Sequence, residues 1–313
     1  MENQRIKYVN EYLKEKFGER TLKICIDGNF TCPNRDGTCG VGGCIFCSER
    51  GSGEHIKNAS TNINIENTIK SISKQVTDYF STYRAQRANQ FIVYFQNFTN
   101  TYDTIENLKA KYDAALIDSR IVGLAIATRP DCINEDIVKL LASYCSKYYV
   151  CVELGLQTVD NEIGKFINRG YASEIFSKAV DLLNQYNIDV VAHIMIGLPG
   201  ETEETIKNTV AFINSHKLQG IKIHSTYIVK NTKLAELYFD NLYTPITLEY
   251  YLDTLSYILT HISPNLIIHR ISGDAPKDLL IAPNWNLHKK WVLNGIYKKF
   301  EEENLWQGKF YST

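Results

Sequence analysis

Apolar and β-branched residues gather in short runs along the chain, and between those runs they recur at helical spacing. The runs fall at Leu22–Asp27, Phe91–Gln96, Ile121–Ala127, Tyr148–Leu154, Asp189–Ile196 and Gly220–His224. Each is brief and nearly continuous, the pattern of a strand buried on both faces. Helices are predicted over 64–82, 103–117, 134–146, 173–187 and 202–216. Asn134 is a capping residue in place, and the helix after Pro199-Gly200 opens on acidic residues, as the positive end of a helix favours. Six β/α units imply a parallel sheet with helices outside. A six-unit partial barrel and a doubly wound sheet both satisfy this pattern, and both place a site at the C-terminal strand ends.

The flanks complete the outline. Ile6, Val9, Leu13 and Phe17 predict an amphipathic helix before the first strand. After Tyr243–Pro245 the pattern predicts a helix over 248–262, a strand over 266–271 and a helix over 284–303. The expected organisation is an N-terminal helix (1–20), an α/β core (21–245) and a C-terminal α/β extension packed on the core (246–313).

Composition narrows the class. The 313 residues are 44% hydrophobic and 22% charged, with 34 Lys plus Arg against 35 Asp plus Glu. A formal net charge of −1 excludes a generally basic nucleic-acid coat, although a local basic groove stays open. No apolar run nears the ~20 residues of a membrane helix. MENQRIKYVN has no apolar signal core, so a cytoplasmic protein without a membrane partner is expected.

Eight cysteines occur, five of them within the first 47 residues. In a reducing compartment such clustering points to metal or cofactor ligation. The segment Cys32-Pro-Asn-Arg-Asp-Gly-Thr-Cys39-Gly-Val-Gly-Gly-Cys44-Ile-Phe-Cys47 directly follows the first strand. Its glycines let the backbone wrap tightly. Three readings compete at this point: Cys32, Cys44 and Cys47 on three irons of a 4Fe–4S cluster; all four cysteines on a structural zinc; or ordinary buried thiols. Cys25, Cys132, Cys145 and Cys151 lie in predicted strands or helices and read as small core hydrophobes.

The loop resembles the cluster loop of radical SAM enzymes of the bacterial YhcC/YtqA type, a group similar to the radical SAM part of the Elongator catalytic subunit. The resemblance continues through Gly51–His55, Tyr94–Tyr102, Ala127–Asp131, Glu153–Thr158, His193–Thr202 and Ile271–Pro276. It implies a partial (β/α)6 TIM-like barrel with a C-terminal extension, a 4Fe–4S cluster held by Cys32, Cys44 and Cys47, and S-adenosyl-L-methionine (SAM) as second cofactor. Cys39 falls where the family needs no cysteine.

The remaining strand ends are read with that resemblance. Gln96, Asn97 and Thr99 stand where relatives use glycines to hold the methionine amino group of SAM. Ala127 replaces an acidic residue of the Elongator-like pattern, which leaves Thr128 or Asp131 for the ribose. Gln157 and Arg169 are expected to reach the SAM carboxylate and ribose, since Arg offers a planar fork. His193 is expected to face SAM or substrate. Lys217, Lys222, Lys230 and Lys233 form a positive stretch without acids. It is expected to line the mouth and grip RNA phosphates, with Lys230 at the catalytic end. Tyr94, Phe98, Tyr102 and Tyr227 are candidates for stacking a base.

The function implied is reductive cleavage of SAM to a 5′-deoxyadenosyl radical that modifies the C5 side chain of a tRNA wobble uridine, carboxymethylaminomethyl to aminomethyl. A flavodoxin or ferredoxin is the expected electron donor. The competing functions are radical SAM chemistry on a small metabolite or cofactor precursor, and a non-enzymatic zinc or iron–sulfur RNA-binding module.

Overall fold

A computed structural model describes residues 5–51 and 64–312. The segment Ser52–His55 of one quoted motif lies outside them, as do the first four residues of the N-terminal helix region. The chain runs α1 (Val9–Phe17), β1 (Thr21–Ile26), α2 (Ile65–Phe80), β2 (Gln90–Phe95), α3 (Ile105–Ala115), β3 (Ile121–Thr128) and α4 (Glu135–Tyr144). It continues with β4 (Tyr149–Gln157), α5 (Asn161–Phe166), α6 (Ser173–Gln185), β5 (Asp189–Ile196), α7 (Glu203–Asn214) and β6 (Gly220–Ser225). Then come β7 (Ile228–Val229), α8 (Lys233–Phe239), α9 (Leu248–His261), β8 (Ile267–Arg270), β9 (Leu280–Ala282) and α10 (Lys289–Glu302).

Seven strands form one sheet in the order β1-β2-β3-β4-β5-β6-β8. Every pairing in it is parallel. The sheet curls into a partial barrel, as the pattern of alternating strands and helices requires. Its outer face packs against α2, α3, α4, α6, α7 and α9 through one continuous core that includes Phe91, Phe95, Tyr112, Phe176 and Tyr251. The helices start where capping chemistry places them: Asn64, Thr104, Asn134, Thr202, Thr232 and Thr247 each accept a backbone N–H in the first turn.

The lower end of the barrel is closed by α1. Leu13 packs with Ile92, Tyr94, Ala125 and Ala127, and Val9, Tyr12, Phe17 and Tyr149 surround that cluster. The upper end, at the strand C-termini, stays open and carries the loops.

Three features depart from the sequence expectation. The strand predicted over 266–271 within the extension packed on the core is β8, which joins the barrel sheet beside β6. Two short helices, α5 and α8, and the antiparallel pair β7–β9 were not expected, because each is too short to show periodicity. The helix predicted over 284–303 is broken: Asn284–Leu287 is a 3₁₀ turn, and His288 (φ −116°, ψ 63°) leaves helical geometry before α10 begins. Core packing holds for Cys151 alone among the four outlying cysteines; Cys25 and Cys145 are exposed and Cys132 is half-buried.

Candidate active site

The loop after β1 turns back on itself over the strand ends. Cys32 O accepts from Arg35 N (2.8 Å), Pro33 O from Cys39 N (2.8 Å), Asn34 O from Gly43 N (2.8 Å) and Cys44 O from Cys47 N (3.0 Å). Gly43 has φ 80°, and a Cβ there would meet Arg35 Nε at 2.9 Å, so only glycine fits. The loop is pinned from outside as well. Ile45 N donates to Ile167 O (3.1 Å) and Leu234 N to Ile45 O (2.9 Å). Asn34, almost fully buried, donates from Nδ2 to Asn168 O (2.5 Å) and to Cys44 Sγ (3.7 Å).

These contacts bring Cys32, Cys44 and Cys47 to one cavity of about 220 Å³ at the open end of the barrel. Thr99, Thr128, Arg129, Glu153, Gly155, Gln157, His193 and His224 also line it, as does Tyr227. The Cys44 thiol is pushed well above its ordinary value, first by its hydrogen bond with Cys47 and then by burial and the nearby charges of Cys47 and Cys32; Arg129 opposes them. A metal cluster would relieve the crowded Cys44 thiol by replacing its proton. Cys39 is exposed and outside the lining. Among the described residues no three His, Cys, Asp or Glu side chains converge on a single ion. Cys32, Cys44 and Cys47 share the cavity lining, and Cys39 does not.

The other predicted residues divide. Thr99, Thr128, Gln157 and His193 reach the cavity. Thr99 Oγ1 is buried without a hydrogen-bond partner. Thr128 Oγ1 is bonded to Thr101 Oγ1 (2.6 Å). Gln157 sits at a bulge ending β4 with φ 61°, and Tyr171 OH bonds to its Oε1 at 3.2 Å. Gln96 and Asn97 stand beside the cavity rather than in its lining. Asn97 is fully buried, and neither polar atom of its amide has a partner among the described residues.

Arg169 is a correction. Four of its five N–H groups are used on the protein: Nε donates to Tyr171 O (2.9 Å), Nη1 to Leu156 O (2.7 Å) and Thr158 O (2.6 Å), and Nη2 to Asn161 Oδ1 (3.0 Å). It is 1% exposed and shapes the loop after β4 from behind. The arginine that does line the cavity is Arg129, paired with Asp131 at 2.9 and 2.6 Å and donating to Arg169 O at 2.9 Å. Burial opposes its charge, but the Asp131 carboxylate outweighs burial and raises it.

Lys230 is a second correction. It is exposed, and its Nζ donates to Asp278 O (3.0 Å), away from the cavity. The expected basic stretch does not act as one surface: Lys233 is paired with Glu236, and Lys222 is buried in the barrel.

The barrel floor holds what sequence reasoning missed. Glu153, 1% exposed, accepts from Lys23 Nζ (2.9 Å) on Oε1 and from Tyr94 OH (2.5 Å) on Oε2. His193 Nε2 (3.0 Å) and Lys222 Nζ also bond to Oε2. Burial alone would raise this carboxyl, but Lys222, Lys23 and His193 hold it well below its usual range. Burial lowers Lys222 to about 8 and His193 to about 4. Two signals were available: a carboxylate in the middle of an apolar strand, and the period-two alternation that puts Glu153, Gly155 and Gln157 on one face.

Comparison with known proteins decides the family. Residues 35–213 match the Radical SAM superfamily and residues 218–302 the Radical_SAM C-terminal domain. The chain belongs to the radical SAM superfamily. It is 36% identical over 303 residues to the YtqA protein of Bacillus subtilis (strain 168), covering 97% of this chain and 92% of that one. It is 33% identical over 281 residues to the YhcC protein of Escherichia coli (strain K12), 90% and 87% covered. A tRNA uridine(34) acetyltransferase of Methanocaldococcus jannaschii is 31% identical over 192 residues, 60% of this chain and 34% of that protein. The solved Elp3 of Methanocaldococcus infernus superposes with a TM-score of 0.65 at 20% identity, over 92% of this chain and 64% of that chain, which shows a shared fold. Members of this superfamily use a 4Fe–4S cluster and SAM, the pair of cofactors that the three-thiol cavity suits. No described helix is long and apolar enough to cross a membrane.

Proposed function

We propose that this radical SAM protein modifies the C5 side chain of a tRNA wobble uridine, taking a carboxymethylaminomethyl group to an aminomethyl group. The observation that carries the enzymatic half is the convergence of Cys32, Cys44 and Cys47 in one cavity at the open barrel end. The substrate half draws support from the similarity to a tRNA uridine(34) acetyltransferase over 60% of this chain.

In this reading Cys32, Cys44 and Cys47 hold three irons and leave the fourth open. When bound and reduced, the cluster and SAM together supply a carbon radical that removes one hydrogen atom from the substrate. The chain's own residues bind and orient. Thr99, Thr128, Gln157 and His193 contact SAM from the cavity wall, with Gln96 and Asn97 supporting the wall behind Thr99. Arg169 fixes the turn that presents Gln157, and Arg129 places positive charge beside the thiols. Arg50 and Lys230, both gathered at Asp278, supply cations for RNA phosphates outside the cavity. A flavodoxin or ferredoxin delivers the electron.

The test is anaerobic reconstitution, followed by iron assay and by incubation with dithionite and SAM. About four irons per chain and formation of 5′-deoxyadenosine are expected. Incubation with tRNA bearing the carboxymethylaminomethyl group, read by nucleoside mass spectrometry, should convert it to the aminomethyl form. Radical formation with unaltered tRNA would overturn the substrate half alone.

A further inference from the structure

Lys23 and Lys222 are two ammonium groups inside the barrel that share one carboxylate, Glu153. Other acids near the barrel are engaged elsewhere: Asp27 accepts from Asn29 N (2.8 Å), Asp189 from Tyr12 OH (3.4 Å), and Asp274 pairs with Arg270 (3.0 Å). One carboxylate cannot balance both ammonium groups, so the positive excess favours an anion nearby. Lys222 Nζ has three protons. Two are directed at Glu153 Oε2 and Tyr94 OH.

His224 stands two residues further along β6, on the same face as Lys222 and nearer the open end. It lines the cavity, its ring centroid lies 5.3 Å from that of His193, and its Nε2 is buried without a hydrogen-bond partner. A buried ring nitrogen without a partner among the described residues, on a side chain that lines a cavity, marks a place where a ligand atom could complete the bond. Burial first, then His193, Arg270 and Lys222, keeps this ring neutral, so its Nε2 is a donor in one tautomer and an acceptor in the other.

We propose that His224, which lines the cavity, and Lys222, two residues before it on the same face of β6, form a carboxylate-binding site that seats the anionic end of the substrate's reacting side chain. A single carboxylate matches the single unbalanced charge, and a neutral imidazole N–H with an ammonium N–H matches its two oxygens. The inference deepens the uridine reading above and rests on it for the nucleoside half of the ligand. The same chemistry would serve a free small carboxylate, and the two sources are separable.

The experiment uses the full reconstituted chain with SAM and measures dissociation constants calorimetrically for three probes. These are 5-carboxymethylaminomethyluridine, its carboxamide counterpart and N-methylglycine. The carboxylate nucleoside should bind at least about tenfold tighter than the amide. Lys222→Met should erase that preference, leaving Glu153 paired with Lys23. Where Lys222→Met fails to fold, as read by circular dichroism, His224→Leu serves instead and should weaken the carboxylate about tenfold while sparing the amide. Equal binding of acid and amide to the unsubstituted protein overturns the carboxylate site and leaves the uridine reading standing. So does a preference that survives both substitutions. Binding of N-methylglycine that depends on Lys222, with no binding of either nucleoside, upholds the site and sinks the uridine reading.

Discussion

Asn34 and Asn168 hold each other's loops: Asn34 Nδ2 donates to Asn168 O at 2.5 Å, and Asn168 Nδ2 donates back to Gly43 O at 2.8 Å. The same Asn34 amide touches Cys44 Sγ, so one side chain couples the cysteine loop to the turn after β4. Asn34→Ala should leave Asn168 O without its side-chain donor, remove the contact to Cys44 Sγ and cost about 1–3 kcal/mol. Reconstituted Asn34→Ala protein should lose iron faster on dilution than the parent. Unchanged iron retention and an unchanged melting temperature would show the coupling to be idle.

Arg169 supports the turn from behind, so its loss acts on the fold before it acts on SAM. Arg169→Ala removes the side-chain donor from Thr158 O and Tyr171 O, and one of two donors from Leu156 O and Asn161 Oδ1, which keep Thr158 N and Ser173 N. Urea unfolding should show a loss of at least about 3 kcal/mol, with iron retention falling in parallel. A stable variant that kept its iron and merely bound SAM more weakly would restore the ligand role read from the sequence.

Cys39 and Cys44 should separate cleanly. Cys44→Ala should lose the cluster and all 5′-deoxyadenosine formation, because Cys44 lines the cavity. Cys39→Ser should keep iron near the parental level, because Cys39 is exposed beyond it. Iron assay on the two proteins decides the matter; loss of iron in Cys39→Ser would return Cys39 to the ligand set.

Glu201 gives a pH signature. Burial raises its carboxyl to about 7 from 4.5, against the Gly197 and Leu198 N–H groups, which pull it down. Folding thus favours the protonated form. Its contribution is complete below pH 4.5 and is lost as pH rises through about 7. Glu201→Gln keeps an acceptor for Gly197 N but cannot ionise. Relative to the parent it should gain up to about 3 kcal/mol between pH 4.5 and pH 8, read from urea unfolding at both values. A parallel pH dependence in the two proteins would refute the assignment.

The alternation of six buried runs with amphipathic helices made the parallel sheet legible, because period and length speak for elements of that size. Cys32, Cys44 and Cys47 were legible for the same reason: their spacing is local. Arg169 and Lys230 were misplaced because a charged residue's partner is decided by tertiary contact; Arg169 meets Leu156 O thirteen residues away, and Lys230 meets Asp278 O forty-eight away. The Glu153 network joins β1, β2, β4, β5 and β6, and no window along the chain could reveal it. β8 was read as a strand but not as a barrel strand, since its four residues carry no mark of their neighbour.

The edge strand β8 has a consequence for how the molecule is made. Tyr8 forms a parallel bridge to Ile268, and Ile268 N donates to Lys7 O (2.8 Å). Arg5 Nη1 in turn donates to Leu305 O (2.7 Å), Lys7 N to Gln307 Oε1 (3.0 Å) and Gln307 N to Arg5 O (2.8 Å). The seam at this edge is therefore sewn by segments about three hundred residues apart in synthesis. The segment made first thus finds its partners only once residues 268 and 305–307 have been made, and it covers a row of backbone groups on β8 that would otherwise be open to a stray strand.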